Sequence, residues 1–578
     1  MFALPPVRSD LCVSADRPKE NDALGARLTS WLPGLIAVCA VLQFYLIFAR
    51  QINWDEFYFL ARIHDYLRGD PMPPLQTFYV HLLAWLPAIG SDAITRVEIA
   101  RVLMFVLELG TLGLIYLSAR RFASRTAAML AVFSYLTCGY VLVHGASFRA
   151  DPMAMFLLMA AVALLLVPRP SSLRAALAGG AVAIAILITI KAALYAPLIV
   201  AVAVLQLASP AGRLRWLLAL AVGCFSAFAL FAALYMLHRA SIVLPDNTDA
   251  IATAAMNAKT VSAGGMILRT WPYLLEALRR NPGTFAALAI GVVLCVRRAL
   301  DRKGTERLRA MALLAFAIPV ASLLVYRNSF PYYYPFALAP AAILGARAFD
   351  TITSPVLKRG WILVCVTSLV VQFSAALHSA RPLQRATVDA IHAMFPEPVA
   401  YIDRCGMISA YPRAGFFMSS WGIEKYRADG RAVLHDAIIA GTPRFVIVNS
   451  SVLAAALVAG SPDVPPAYRL MAQDRAALRD NFVHHWGAIW VAGKQVDRLE
   501  ATSDRVISVS IPGPYTLEAP RAVAVDGTVH APDAVFELAA GAHALRSADG
   551  MQDVTLRWGD HLPRPPVPAP DAPLFEGF

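Results

Sequence analysis

Charge is scarce in this chain: only 16% of its 578 residues are Asp, Glu, Lys or Arg, against 58% apolar residues. That balance excludes an ordinary soluble protein and points to a polytopic membrane protein whose solvent is the bilayer. Lysine is rarer still, seven of the 51 basic residues, and this arginine- and alanine-rich bias suggests a GC-rich bacterial genome, so that the expected location is a bacterial inner (plasma) membrane. The arginines gather in short loops between apolar runs. The net charge of +12 therefore follows from loops that retain positive charge on the cytoplasmic side, and nucleic acid is excluded as a partner. Residues 1–30 lack the short apolar core and small-residue cleavage site of a signal peptide, and read as a cytoplasmic tail. Of the seven cysteines, Cys39, Cys138, Cys224, Cys295 and Cys365 fall in apolar runs, Cys12 in the tail, and Cys405 alone beyond the runs. No external disulfide is available, and no cysteine has metal-ligand spacing.

What is present is a series of about eleven apolar runs between residues 31 and 378, several of them short of the roughly 20 residues that cross a bilayer. Basic loops follow every second run: Arg120, Arg121 and Arg125, then Arg169 and Arg174, Arg213 and Arg215, the stretch 297–309, and Lys358 with Arg359. If these are cytoplasmic, then 50–99, 144–151, the neighbourhood of Lys191, 238–282, 327–330 and everything after about 379 share the other face. Beyond that point the composition becomes that of a water-soluble region. Residues 379–502 mix β-rich runs (398–402, 444–448, 488–491) with helical patterns such as 432–440 and read as an α/β domain. Residues 503–562 carry only short strand patterns, at 506–511, 523–525, 535–538 and 554–558, with an Asp526-Gly527 turn, and read as a small β-sandwich. The proline-rich 563–578 reads as an extended tail. The expected fold is a membrane all-α helical bundle with a C-terminal extracytoplasmic α/β plus β-sandwich region.

The residues capable of chemistry lie in the loops of one face. Asp55 and Glu56 follow the first apolar run directly, beside Trp54 and Tyr58. Solvated loop acids in an aromatic belt would look the same, but ionisable groups next to hydrocarbon are more often functional. Asp151 precedes Pro152 and suits a helix N-cap, and Arg149 two residues earlier would keep it ionised. Lys191 separates two short apolar runs that can form a hairpin reaching the same face. A lone lysine there can also simply snorkel. Arg327 opens Tyr326-Arg-Asn-Ser-Phe-Pro-Tyr-Tyr-Tyr-Pro335, where an arginine among tyrosines suits a phosphate, with Tyr332 and Tyr333 as further candidate binding residues. Glu108 stands alone inside the second run, where a carboxylate must pair with a cation or belong to the site.

Trp54-Asp-Glu-Phe-Tyr58, Phe148-Arg-Ala-Asp-Pro152, the lysine in the middle hairpin and Arg327 before an aromatic helix start resemble, in order and sidedness, the integral-membrane GT-C glycosyltransferases. The likeness is to the polyprenyl-phosphate-sugar users related to protein O-mannosyltransferases and the lipid A aminoarabinose transferase. It covers residues 31–378. It implies inverting transfer of a sugar from a lipid phosphate to a glycan, lipid or protein hydroxyl, with Asp55 as general base and Asp151 orienting the acceptor or a metal. Lys191 and Arg327 would neutralise the leaving phosphate. The Glu-Lys-Pro-Pro stretch usual in the aminoarabinose branch is replaced here by Asp70-Pro-Met-Pro-Pro-Leu75. No cofactor is implied with certainty, and a divalent ion, if one is used, would fall to Asp55 and Asp151, a thin ligand set.

Two readings from other classes compete. A transporter or flippase of lipid-linked saccharide would show internal repeats and charges near the bilayer midplane, whereas most charges here gather at one mouth and no repeat is found. A membrane-anchored carbohydrate-binding protein would do its work through residues 379–578 alone. Reporter fusions placed after Arg121 and Arg298 are expected to report cytoplasm, and one after Arg381 the outside. A cytoplasmic signal at Arg381 would overturn the shared face.

Overall fold

The computed structural model of the chain describes residues 23–208, 212–245, 270–570 and 572–577. Most of the expected tail 1–30, with Cys12, and the middle of the 238–282 loop lie outside the described residues. Each apolar run becomes helical, beginning with Ala23–Ala49 and ending with Pro355–Ala376. Among the described residues, seven helices are long and apolar enough to cross a membrane, including Ala93–Ala119, Arg213–Ser241 and Pro282–Asp301. Seven by length, rather than eleven, has a physical cause. Arg125–Leu136, Ala150–Leu165 and Ser172–Ile188 are apolar but shorter. The run 126–143, for example, breaks before Gly139, whose N–H donates to Asn281 Oδ1 at 2.8 Å, and resumes as Gly139–His144.

Bundle packing depends on small residues. Ser172–Ile188 and Arg213–Ser241 approach so closely at Gly179 that an added Cβ would stand 2.0 Å from the Gly223 carbonyl oxygen, so any side chain there would force the helices apart. Tyr334–Thr351 runs through the middle of the bundle with nearly every residue buried. Its neighbours are protein rather than lipid.

The C-terminal region holds eleven strands: β1 (Tyr401–Ile402), β2 (Phe445–Ile447), β3 (Phe482–Trp486), β4 (Ile489–Leu499), β5 (Arg505–Val509), β6 (Gly513–Glu518), β7 (Val523–Val525), β8 (Thr528–His530), β9 (Val535–Leu538), β10 (Gly541–Ser547) and β11 (Gln552–Trp558). The first sheet, β1-β2-β4-β11-β6-β9 with β3 also paired to β4, has seven strands; the second, β5-β10-β7-β8, has four. Because β4 is long and pairs with β11, the first sheet runs straight through the expected boundary at 502/503. Side chains of both sheets meet in one cluster around Val496, Leu517, Leu545 and Leu556. The β7–β8 hairpin turns on Asp526 and Gly527, both at positive φ (50° and 83°), as a two-residue turn matched to strand twist requires.

This region packs onto the end of the bundle that carries Asp55. Arg381 pairs with Glu98, and Arg385 Nη1 reaches Asp92 Oδ2 at 2.9 Å. The 563–577 tail folds back as well: Gln384 Nε2 donates to the Leu574 carbonyl at 2.9 Å, and Gln51 exchanges two hydrogen bonds with the Glu576 backbone. A second apolar cluster, including Ile402, Leu434, Val446, Leu453 and Leu478, lies wholly inside the C-terminal region. Residues 380–578 expressed alone are therefore expected to give a soluble, cooperatively melting αβ-plus-β unit without transferase activity. A fragment that transfers sugar unaided would move the site out of the bundle.

Candidate active site

The site is built on Trp54–Arg68, a helix started by a reciprocal cap in which Asn53 Oδ1 accepts from Asp55 N at 3.0 Å and Glu56 Oε2 accepts from Asn53 N at 2.9 Å. This cap turns the two adjacent acids in opposite directions. Glu56 is fully buried and accepts from Arg101 Nε (2.8 Å), Arg101 Nη2 (2.5 Å) and Phe148 N (2.8 Å) as well. Burial works against its charge, but Arg101 and the Asn53 and Phe148 backbone donors outweigh it and hold its pKa below the ordinary carboxylate value. Glu56, expected beside Asp55 as a reacting group, thus has both oxygens committed to structure. Arg101 spends its remaining N–H groups on the Ile47, Arg50 and Gln51 carbonyls.

Asp55 faces the other way and joins an alternating chain of charges. Its Oδ2 accepts from Arg149 Nη1 at 2.5 Å; Arg149 Nε lies 3.7 Å from Asp151 Oδ2; and Lys191 Nζ donates to Asp151 Oδ1 and Oδ2 at 2.7 and 2.9 Å. Four side chains from three distant loops form one row. Tyr332 covers it, with the Arg149 guanidinium 3.4 Å from its ring centroid and Lys191 Nζ 5.2 Å away. Burial opposes the Arg149 charge, yet Asp55 and Asp151 raise its pKa above the ordinary arginine value.

Local structure explains each position. Arg149, not Asp151, is the N-cap residue of Ala150–Leu165, so Asp151 sits in the first turn, where the helix dipole favours a carboxylate. Thr189 has extended backbone and ends Ser172–Ile188, and its Oγ1 accepts from Lys191 N at 3.4 Å to start the 3₁₀ turn Ile190–Tyr195. Lys191 is therefore held at a helix break. Tyr333 borders the row at 5.5 Å from Lys191 Nζ, but its hydroxyl is 2.7 Å from Ser322 Oγ.

Arg327 is placed differently from expectation. It donates to both oxygens of Glu424, at 2.7 and 2.5 Å, and its guanidinium stands 3.9 Å from the Trp421 ring centroid. It thereby ties the bundle to the C-terminal region. In the other direction, that region brings Arg404 to within 4.0 Å of the Trp54 ring centroid, and Phe417 stacks on Tyr58 at 4.1 Å. Sequence reasoning missed both, having read 379–502 as a separate domain. It also missed Arg101, whose only signal was a lone arginine at the start of an apolar run.

As metal ligands Asp55 and Asp151 fit poorly. Each carboxylate is already met by a cation, and no group of three His, Cys, Asp or Glu that could hold an ion occurs among the described residues. A groove of about 820 Å³ lies elsewhere, in the C-terminal region, lined by His435, Arg479, Trp490, Lys494 and Arg505. It contains none of the charge row.

No family model and no curated protein matches the chain. Among solved structures, it is similar to ArnT from Cupriavidus metallidurans bound to undecaprenyl phosphate, with 16% identity over 67% of this chain and 85% of that one and a TM-score of 0.49. It is also similar to the Archaeoglobus fulgidus oligosaccharyltransferase tethered with an acceptor peptide, with 11% identity over 89% of this chain and 76% of that one and a TM-score of 0.46. A third is the arabinofuranosyltransferase AftD from Mycobacteria, at 10%, 93%, 63% and 0.44 respectively. These are glycosyltransferases of the GT-C class, the class the motifs resemble.

The two acids are separable by experiment. Glu56→Gln and Arg101→Met each leave a buried charge without its partner and are expected to destabilise the protein by about 3–5 kcal/mol, read as a lower unfolding temperature in detergent. Asp55→Asn is expected to melt close to wild type. Because the Glu56 pKa is depressed, its contribution is complete above the ordinary carboxylate range and is lost as the pH falls below it. A Glu56→Gln protein as stable as wild type would return Glu56 to the reacting pair.

Proposed function

We propose that the chain is an integral-membrane glycosyltransferase that moves a sugar from a polyprenyl-phosphate-linked donor to an acceptor hydroxyl, in the plasma membrane of a bacterium with residues 379–578 outside. The observation that carries this reading is the Asp55–Arg149–Asp151–Lys191 row at the mouth of an apolar bundle. Single displacement at a sugar carbon needs a fixed base on one side of the reacting centre and positive charge on the other. Asp55 and Lys191, at opposite ends of the row, meet that need.

In this reading the acceptor oxygen attacks C1 of the donor sugar while its proton passes to Asp55. The bond between C1 and the phosphate oxygen breaks with inversion, and its electron pair leaves on the phosphate, whose growing charge Lys191 meets. Arg149 binds Asp55 through Oδ2, which leaves Oδ1 for the acceptor. Asp151 holds Lys191 through both oxygens, so the lysine is positioned before the donor arrives. A lipid-anchored donor also accounts for an active centre embedded at a bilayer surface.

Asp55→Asn preserves size and hydrogen bonding but removes the proton acceptor. Turnover is expected to fall by about 10²- to 10⁴-fold, measured as sugar transfer from a polyprenyl-phosphate donor by purified protein in nanodiscs. Lys191→Ala is expected to act mainly on donor use. Near-normal turnover by Asp55→Asn would refute the base assignment and favour the transporter or binding-protein readings.

A further inference from the structure

The charge row is balanced within itself: two carboxylates, Asp55 and Asp151, face two cations, Arg149 and Lys191. A phosphate entering that row meets no surplus positive charge from the bundle. Arg327, the further cation expected to serve it, is committed to both oxygens of Glu424. The missing charge is found across the mouth, on the loop 403–418 of the C-terminal region.

That loop is held rigid by one buried carboxylate. Asp403 accepts from the backbone N–H groups of Cys405, Gly406 and Met407 at 3.1, 2.7 and 2.8 Å and from Asn449 Nδ2 at 3.1 Å; Asn449 Oδ1 in turn accepts from Arg404 N at 2.9 Å. It lies along the surface helix without a gap. Gly406, at φ +87°, stands so close that an added Cβ would be 2.6 Å from Ala61 Cβ, and Phe417 stacks on Tyr58. Arg404 is thereby laid over Trp54, the neighbour of Asp55, and Arg413 is placed 6.0 Å from the Tyr58 ring centroid.

Neither arginine has a carboxylate partner among the described residues, and each keeps a buried N–H group, Arg404 Nε and Arg413 Nη1, without an acceptor. Burial lowers the Arg404 pKa, with Asp55 among the charges that oppose this. Two half-buried guanidinium groups, each with a buried N–H left unused, are costly in an isolated protein and suit a tetrahedral oxyanion. A ring against one face of the guanidinium leaves its in-plane N–H donors uncovered by that ring, and two such donors can take two phosphate oxygens at once.

We propose that Arg404 and Arg413 bind the phosphate of the lipid-linked donor, a diester before transfer and the polyprenyl phosphate monoester after it, so that the C-terminal region completes the active site rather than standing apart from it. The proposal rests on the donor reading above. It assigns the phosphate to a cleft with Lys191 on the bundle side and the two arginines on the other, while the sugar points to Asp55.

The test uses the full chain in nanodiscs and three probes: a polyprenyl phosphate, the corresponding polyprenol, and inorganic phosphate as competitor. Wild type is expected to bind the polyprenyl phosphate at least about tenfold more tightly than the polyprenol, and the double variant Arg404→Gln/Arg413→Gln to lose that advantage. Arg413→Gln alone, which leaves the stack on Trp54 in place, is expected to lose about threefold or more and serves should the double variant misfold. In transfer assays the loss is expected in donor KM rather than kcat. Asp55→Asn is expected to keep the affinity and lose turnover. Phosphate-dependent binding that survives in a folded double variant within twofold overturns this proposal and leaves the transferase reading standing. Wild type that does not distinguish the phosphate from the alcohol overturns both. Competition by inorganic phosphate equal to that of the lipid phosphate overturns the assignment to a lipid-linked ligand.

Discussion

The buried pair between Glu56 and Arg101 is the contact on which the remaining geometry depends. One carboxylate receives the start of its own helix through Asn53, the long helix Ala93–Ala119 through Arg101, and the loop before Ala150–Leu165 through Phe148. Arg101 returns bonds to the carbonyls that end the first span. Three segments distant in sequence are thus joined at one point that water does not reach. Such a pair adds little to net stability compared with an apolar substitute, but it tolerates few alternative arrangements. Fixing the first turn of the surface helix fixes the direction in which Asp55 points, and fixing Phe148 fixes Arg149 one residue on.

The same economy operates at the other end of the row. Proline and arginine place Asp151 in the first turn of its helix, and the break at Thr189 places Lys191 opposite. Neither side chain needs a long-range backbone contact to be in position. Glu108 is the carboxylate without a cation. It lies two turns beyond Arg101 on the same helix, fully buried, with the Tyr135 side chain as its polar neighbour and no ion pair among the described residues. The turn at Gly145 packs directly on it, since an added Cβ there would stand 2.9 Å from Glu108 Oε1.

Local features were legible in the sequence and relations between distant segments were not. Aspartate before proline, a lysine interrupting an apolar stretch, and arginine among tyrosines each announce a helix end or a turn, and helix ends are where this bundle gathers its charges. The eleven apolar runs were visible for the same reason. Adjacent acids, by contrast, look alike until their partners are known: Glu56 is distinguished from Asp55 only by Arg101, 45 residues on. The partner of Arg327 was not legible, because Glu424 lies 97 residues away in a region of different texture. The boundary at 502/503 marked a real change of composition, yet a sheet can be built from strands on both sides of such a change, as the pairing of β4 with β11 shows.

The docking of the C-terminal tail bears on the order in which this protein assembles. Gln51 and Glu576 are 525 positions apart and bond backbone to side chain in both directions, while Phe575 meets Trp54 and Phe57 edge-on. A chain emerging from the ribosome inserts its early helices long before residue 575 exists, so Trp54 and its neighbours spend that interval uncovered. The surface around Asp55 is therefore covered only once residue 575 has been made, by a contact that requires both the bundle and the two sheets to be in place.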